Sequence, residues 1–537
     1  MPESAPCPPP ARRFPWWVPL GGLALALLYL PTLTTPFDFI DDGNLVYPAP
    51  AGTTLDGHLD RYADKVAANV THLGPFRPIV WAHWELTANL AGGDPLAWRL
   101  TRLAWCGLAA TTLLAFLRGL NVPAPAALVA GLAAMANPYR NEIWTSLTLA
   151  EGVAMPYCLL ALTAARKAAG SPRPGKWDAV AVLSLLAALG CKNTFAALVP
   201  AMLALRLLPD GVRLTAAVRA NAGRVPVYLA PLLLPLAHFA YFKLNWKPGQ
   251  YETPGPSVDQ LGRIAGWLKG AAGADFLGVG VGLMLVVVWQ AGRLTRQAGV
   301  EVRPDRYRAL TVAAGLLLAA GVAVYLPVPI MAARYTMPAV WGVDLLLALL
   351  VTAALAAPAG WPKRVAVVAV AAGLVGLAAA SYGRQEKFAA RARLLWDALR
   401  YVEATAPAGA RVAWVGGDTA AGALNAEEGI HFQWHLVHRG RGDIRVGLVD
   451  AAGDPIRRVE LPPLDGPADY RLAMGKPPAA GGVEFAAAYR LGRKRLTCRL
   501  DPVPALAGVP TMPDAELLAR LAGAKEAGGP ATAARRR

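Results

Sequence analysis

Three carboxylates, Asp38, Asp41 and Asp42, fall within five positions in the run Phe37-Asp38-Phe39-Ile40-Asp41-Asp42-Gly43-Asn44, directly after the first apolar stretch. Adjacent acids repel, which raises the pKa of one of them and suits a general base or a metal site. Their place between apolar residues at a bilayer edge favours a functional reading over a solvated loop or a helix cap. Downstream come Arg61, His72 and Arg77, then Asp94 and Arg99, with Phe76, Trp81, Trp84 and Trp98 between them. Such aromatic density reads first as an interfacial belt of helices lying on the membrane surface. Glu142 ends the turn Asn137-Pro138-Tyr139-Arg140-Asn141-Glu142, and Glu151 sits inside the apolar run that follows. An acid at that depth implies a polar cavity. Lys192 and the pair Arg334-Tyr335 add cations at the ends of later apolar runs. Taken singly, Lys192 and Arg334 read as snorkelling side chains. Taken together, acids and bases gathered on one membrane face suit a site that holds an anionic group and activates a hydroxyl.

The elements that must position these residues are apolar helices. The chain has 537 residues, of which 55% are hydrophobic and 17% charged, with a net charge of +17 and a mean hydropathy of +0.36. Soluble domains carry about 25% charged residues, and disorder, a coiled coil or a disulfide-stapled scaffold is excluded. A span needs roughly 20 apolar residues. Candidates are Trp17–Thr34, Thr101–Leu117, Pro125–Asn137, Ile143–Ala164, Val180–Gly190, Thr194–Leu208, Val225–Lys243, Phe276–Gln290, Ala309–Pro327, Pro338–Ala357 and Val365–Tyr382. The pattern predicts an all-α polytopic membrane domain of about 11 spans. The first span has no small-residue cleavage site after it and reads as a retained signal anchor.

Basic residues fall in alternate loops: Arg12 and Arg13; Arg118; Arg166, Lys167, Arg173 and Lys176; Arg213, Arg219 and Arg224; Arg293, Arg296, Arg303, Arg306 and Arg308; Lys363 and Arg364. By the positive-inside rule these loops and the N-terminus are cytoplasmic, so loop 35–100, the turns at Glu142, Lys192 and Arg334, and the C-terminal tail face outward. The positive charge is then a topology signal, not a nucleic-acid footprint. The expected divisions are a cytoplasmic N-terminus (1–16), the membrane domain (17–382), a small extracytoplasmic α/β domain (383–508) and a flexible tail (509–537). Within the α/β domain, Arg384–Glu403 has a helical pattern, and Arg411–Gly416, Ile444–Val449 and Gly482–Tyr489 read as strands.

In the same domain His431, His435 and His438 share a helical face. Three imidazoles could bind zinc. No Cys or carboxylate ligand accompanies them, and a mixed aromatic and histidine surface is the favoured reading. The five cysteines have no metal-ligand spacing, and Cys498 is alone in the tail.

An ordered set of motifs resembles the GT-C superfamily of integral-membrane glycosyltransferases, nearest its protein O-mannosyltransferase-like and tetratricopeptide-associated branches. The motifs are Asp41-Asp42 after the first span, Phe76-Arg77-Pro78, and Gly92 to Pro95 with Arg99. They continue with Asn137-Pro138 and Glu142, Lys192 at the end of a middle span, and Arg334-Tyr335 with Pro338. The resemblance covers roughly residues 15–385. Asn193 stands where such relatives have Glu after the lysine, Asn137 stands where they often have His, and no tetratricopeptide array follows.

The resemblance implies transfer of a sugar from a polyprenyl-phosphate donor to a hydroxyl of a protein or glycan acceptor, with inversion, at the outer face of a bacterial plasma membrane. It implies Asp41 or Asp42 as base, with Glu142 orienting the acceptor or helping to hold a metal. Arg77, Lys192, Arg334 and Tyr335 would bind the donor phosphate, and Asp38, Arg99 and Glu151 would lie nearby. Asp41 and Glu142 are compatible with Mg²⁺ or Mn²⁺. Two other classes stay open: a polysaccharide polymerase or ligase using lipid-linked sugars, and a non-catalytic membrane protein whose outer domain binds a partner.

Overall fold

The computed structural model describes residues 15–39, 42, 53–71, 76–208, 214–245, 258–275, 307–326, 333–355, 360–416, 426–450, 453–456, 464–474, 482–489 and 492–502. Asp41, His72, the expected span Phe276–Gln290, most of the basic loop before Arg308 and the C-terminal tail lie outside these residues.

The first apolar stretch forms an α-helix, Trp17–Ala26 (α1), that tightens into a 3₁₀ segment, Leu27–Thr34, with Pro31 inside it. Two helices follow, Leu55–Thr71 (α2) and Pro78–Ala91 (α3). Pro78 starts α3, and Gly92, at a positive φ of 54° that favours glycine, ends it. The next helix, Pro95–Gly119 (α4), opens on Asp94, whose carboxylate accepts from Leu96 N at 3.0 Å. α1 and α4 pack so closely that a Cβ at Gly22 would collide with the Thr111 backbone.

The membrane part continues with Ala124–Ala136 (α5), the single turn Glu142–Thr145 (α6), Ala150–Gly170 (α7) and Pro174–Cys191 (α8). Then come a 3₁₀ segment, Asn193–Leu198, and Val199–Leu207 (α9). Beyond these lie Leu233–Asn245 (α10), Val258–Asp275 (α11), Arg308–Ala323 (α12) and Met337–Leu355 (α13). α12 and α13 interlock through glycine: a Cβ at Gly321 would strike the Ala339 backbone, and one at Gly342 would strike the Ala314 carbonyl.

Among the described residues, five helices are long and apolar enough to cross a membrane: Trp17–Thr34, Pro95–Gly119, Pro174–Cys191, Arg334–Leu355 and Lys363–Thr405. The other expected spans that are described are shorter or broken. Ala124–Ala136, Asn193–Leu207 and Arg308–Ala323 are apolar but fall below span length. Ile143–Ala164 is interrupted at Ser146–Leu149, and Val225–Lys243 is broken by a 3₁₀ turn at Ala230–Leu232.

The next helix, Trp361–Thr405 (α14), runs 45 residues without interruption. At 1.5 Å per residue it is roughly 68 Å long, about twice a hydrocarbon core. The expected separate helix Arg384–Glu403, and the expected boundary at Tyr382, fall inside it. Its second half carries Leu394, Leu395, Ala398, Leu399 and Val402 into the core of a small α/β domain. There the strands are Arg411–Val415 (β1), Arg445–Val449 (β2), Tyr470–Met474 (β3), Val483–Tyr489 (β4) and Lys494–Pro502 (β5), with Ala426–His438 (α15) between β1 and β2.

The sheet order is β2-β1-β3-β5-β4, with β1 parallel to β2 and β3, and β5 antiparallel to β3 and β4. β1, α15 and β2 therefore form a βαβ unit. Trp414, paired with Leu448 and Leu472, is fully buried under Phe432 of α15.

The two parts share one core at segment 36–39. Trp396 Nε1 donates to Phe37 O at 2.7 Å, and the Phe39 ring lies 5.3 Å from Trp396, 6.0 Å from Phe432 and 4.9 Å from His435. His435 is thus a buried aromatic partner, and among the described residues no group of His, Cys, Asp or Glu is arranged to hold a metal. Burial, reinforced by His431, Arg439 and His438, holds the His435 imidazole near a pKa of about 3.

Candidate active site

The acidic pair splits into an undescribed residue and a buried one. Asp41 lies outside the described residues. Asp42 is fully buried and accepts four hydrogen bonds: from Leu147 N at 2.7 Å, Ser146 Oγ at 3.3 Å, Asp38 N at 3.2 Å and Arg99 Nη2 at 3.2 Å. Arg99 is equally enclosed. Its Nε donates to Thr35 O at 3.3 Å and its Nη2 to Pro36 O at 2.8 Å, while Nη1 reaches Thr145 O. One α-helical turn on, Arg102 donates to the carbonyls of Leu147 and Leu149. A Cβ at Gly152 would collide with that guanidinium, so glycine gives Arg102 its space. Asp42 and these two arginines stitch segment 35–38 to segment 145–149 on the first turns of α4. Asp38 is buried beside them, within electrostatic reach of Arg99 and Arg391.

The turn carrying Glu142 is pinned from several elements. Arg140 is buried and pairs in a fork with Asp344 of α13, Nη1 to Oδ2 at 2.6 Å and Nη2 to Oδ1 at 2.9 Å. Asn141 Nδ2 donates to Ser381 O at 2.8 Å, and its Oδ1 accepts from Ser381 Oγ at 2.9 Å and Tyr29 OH at 3.2 Å. Asn137 Nδ2 donates to Ala271 O at 2.8 Å, and Arg384 Nη1 donates to Pro138 O at 2.7 Å. Glu142 itself remains 43% exposed and pairs with Arg334.

The cations meet around Tyr335. Lys192 Nζ lies 2.5 Å from Glu151 Oε1 and 4.0 Å over the Tyr335 ring, and the Arg334 guanidinium lies 5.2 Å from the same ring. Arg77 and Arg334 are within electrostatic reach of Lys192, and Arg334 is within reach of Glu151. Arg77 is half-buried and, among the described residues, its side chain makes no hydrogen bond or ion pair. The close approach of Ile79 to Gly190 brings Arg77, at the start of α3, against the end of α8 that carries Lys192. Tyr325 packs on Tyr335 at 5.8 Å. On the other flank Asn193 Nδ2 and His238 Nδ1 are 3.1 Å apart, with Phe76 6.0 Å from that imidazole ring.

Six of the expected site residues therefore converge: Arg77, Lys192, Arg334 and Tyr335 with Glu142 and Glu151. Asp42, Asp38 and Arg99 lie apart from these six, in the stitch between the neighbouring segments. Each described carboxylate of the site already faces a cation, and together they form no metal-binding set among the described residues. Arg140, Asp344 and His238 were not among the expected residues. Asp344, an acid within the apolar run Ala339–Leu350, carried the same signal as Glu151.

The fold is that of a mostly helical, membrane-type protein with a small sheet domain at its C-terminal end. Comparison with known protein-family models found no match, and comparison with curated proteins found none either.

Proposed function

We propose that this chain is a membrane glycosyltransferase that moves a sugar from a polyprenyl-phosphate donor to an acceptor hydroxyl of a protein or glycan on the extracytoplasmic side. The gathering of Arg77, Lys192 and Arg334 around Tyr335 carries the reading. Two of those cations are balanced by Glu151 and Glu142, and the third has no counter-ion among the described residues. The described cations of the site exceed its acids by one, which matches a single phosphodiester. A guanidinium can grip two phosphate oxygens at once. The basic loops at the opposite helix ends support a cytoplasmic N-terminus.

In the reaction the acceptor oxygen bonds to the anomeric carbon as the bond from that carbon to the phosphate oxygen breaks, with inversion. The bonding pair leaves with the polyprenyl phosphate, whose charge Arg77, Lys192 and Arg334 stabilise. The acceptor proton passes to a carboxylate. Asp42 has its oxygens committed to the protein, so that role falls to its neighbour Asp41. Glu142, half-exposed on a firmly held turn, orients the acceptor.

Asp41→Asn is expected to leave the protein inserted and folded and to abolish transfer from a polyprenyl-phosphate sugar. Full transfer by that variant overturns the assignment.

A further inference from the structure

A groove of about 400 Å³ lies where the first span, α4 and the second half of α14 meet. That volume is within the range of about 300–1,000 Å³ usual for small-ligand sites. Leu33, Pro36, Leu96 and Trp396 form its apolar wall, and Arg393, Asp397 and Arg400 line its α14 side. These three occupy positions i, i+4 and i+7 of α14 and therefore share one face. Arg400 Nη1 is 3.8 Å from Asp397 Oδ1, whereas the Arg393 side chain, within electrostatic reach of Asp397, makes no hydrogen bond or ion pair among the described residues.

Two rows of leucine lead to the groove. In a 3₁₀ helix residues three apart eclipse one another. Leu27, Leu30 and Leu33 therefore stand in single file along the end of the first span. Leu96 and Leu100 are one turn apart at the start of α4. Leu27, Leu30, Leu96 and Leu100 are 46%, 44%, 47% and 49% exposed, on two helices apolar enough to cross a membrane. An apolar row ending under two arginines has the layout of a phospholipid: acyl chains along the leucines, phosphodiester at the cations.

We infer that this groove is a binding site for an anionic phospholipid, with Arg393 and Arg400 on the phosphodiester and Asp397 accepting from a headgroup hydroxyl. The charge decides among lipids. Two arginines and one aspartate leave one positive charge, which complements a phosphodiester carrying no compensating ammonium, as in phosphatidylglycerol. A bound lipid would brace the junction at which α14 passes from the membrane into the α/β domain. None of these residues belongs to the group around Tyr335, so the inference stands apart from the proposed transfer reaction.

The test is native mass spectrometry of the full-length protein in mild detergent, titrated with phosphatidylglycerol, phosphatidylethanolamine or phosphatidylcholine, with inorganic phosphate as a competitor. The wild type is expected to retain phosphatidylglycerol over both zwitterionic lipids and to keep it in the presence of phosphate. Each cation near a lipid surface is worth roughly a five-fold change in affinity, so Arg393→Ala/Arg400→Ala should retain it about 30-fold less. Arg393→Lys/Arg400→Lys should keep most of the binding. All three residues on α14 are exposed, and an unchanged thermal midpoint in detergent confirms that the variants are folded. Equal retention by the alanine variant, equal binding of all three lipids, or complete displacement by phosphate each overturns the inference.

Discussion

Arg99 Nη2 lies 3.2 Å from Asp42 Oδ2, and both side chains are fully shielded from solvent. The pair closes a stitch in which Asp42 also holds Leu147 N while Arg99 holds the carbonyls of Thr35, Pro36 and Thr145. Removing one member of a buried pair strands the other, at about 3–5 kcal/mol. Asp42→Ala should therefore lower unfolding stability in detergent by about that much, and Asp42→Asn by less because the amide oxygen can still accept from Leu147 N. A base at Asp42 would behave differently: Asp42→Asn would then abolish transfer with its unfolding midpoint unchanged.

Arg140 and Asp344 make a second buried pair, 204 residues apart in sequence. Asp344 lies two turns into α13, the helix that begins just after Arg334, so the turn carrying Glu142 is tied to this region of the chain twice. Asp344→Ala is expected to cost about 3–5 kcal/mol, and Arg140→Met/Asp344→Leu considerably less, since removing both charges leaves neither uncompensated. Unfolding of both variants in detergent checks this. A double variant as unstable as the single one contradicts it.

His435 gives the α/β domain a pH signature. Burial holds its pKa near 3, against about 6.5 in an unfolded chain. Between these values the unfolded state binds the extra proton, so stability falls as pH drops below about 6.5 and is level above it. For this one group the slope is about 1.4 kcal/mol per pH unit. The difference in unfolding free energy between wild type and His435→Leu, followed from neutral pH to pH 5, should shift by about 2 kcal/mol in favour of the variant. A constant difference would mean that the imidazole takes up its proton in the folded domain.

Much of the helical framework was legible in the sequence because apolar runs leave few alternatives. Trp17–Thr34 was read to its ends, and three strands were read from short β-branched or aromatic runs bounded by Gly, Asp and Pro. Tyr470–Met474 and Lys494–Pro502 were missed because their arginines and lysine mask a strand that pairs largely through its backbone. The continuity of α14 was missed at Gly383, where apolar composition changes to charged. A helix leaving a membrane for a domain core changes its surface without ending.

The candidate site was legible as residue types at helix ends, and six of those residues do meet. Which acid pairs with which base was not legible. Arg334 with Glu142, and Arg140 with Asp344, are contacts between segments about 200 residues apart that only the packing of α13 against α5 and the adjoining turn creates. Asp41 and Asp42 read alike as adjacent acids, and the surroundings of Asp42 are set by Arg99 and Leu147, far along the chain.

Arg77 offers the most direct test of the central claim, because it has no ion pair to lose among the described residues and its replacement should leave the fold intact. Full-length protein and Arg77→Gln, purified from the same host membranes, would be analysed by mass spectrometry for bound polyprenyl-phosphate sugars. The wild type should carry such a lipid. Arg77→Gln should carry roughly tenfold less, as expected for one charge-assisted phosphate contact, with an unchanged unfolding midpoint. Absence of any polyprenyl-phosphate sugar from the wild type, or equal amounts in both proteins, would contradict the proposed donor site.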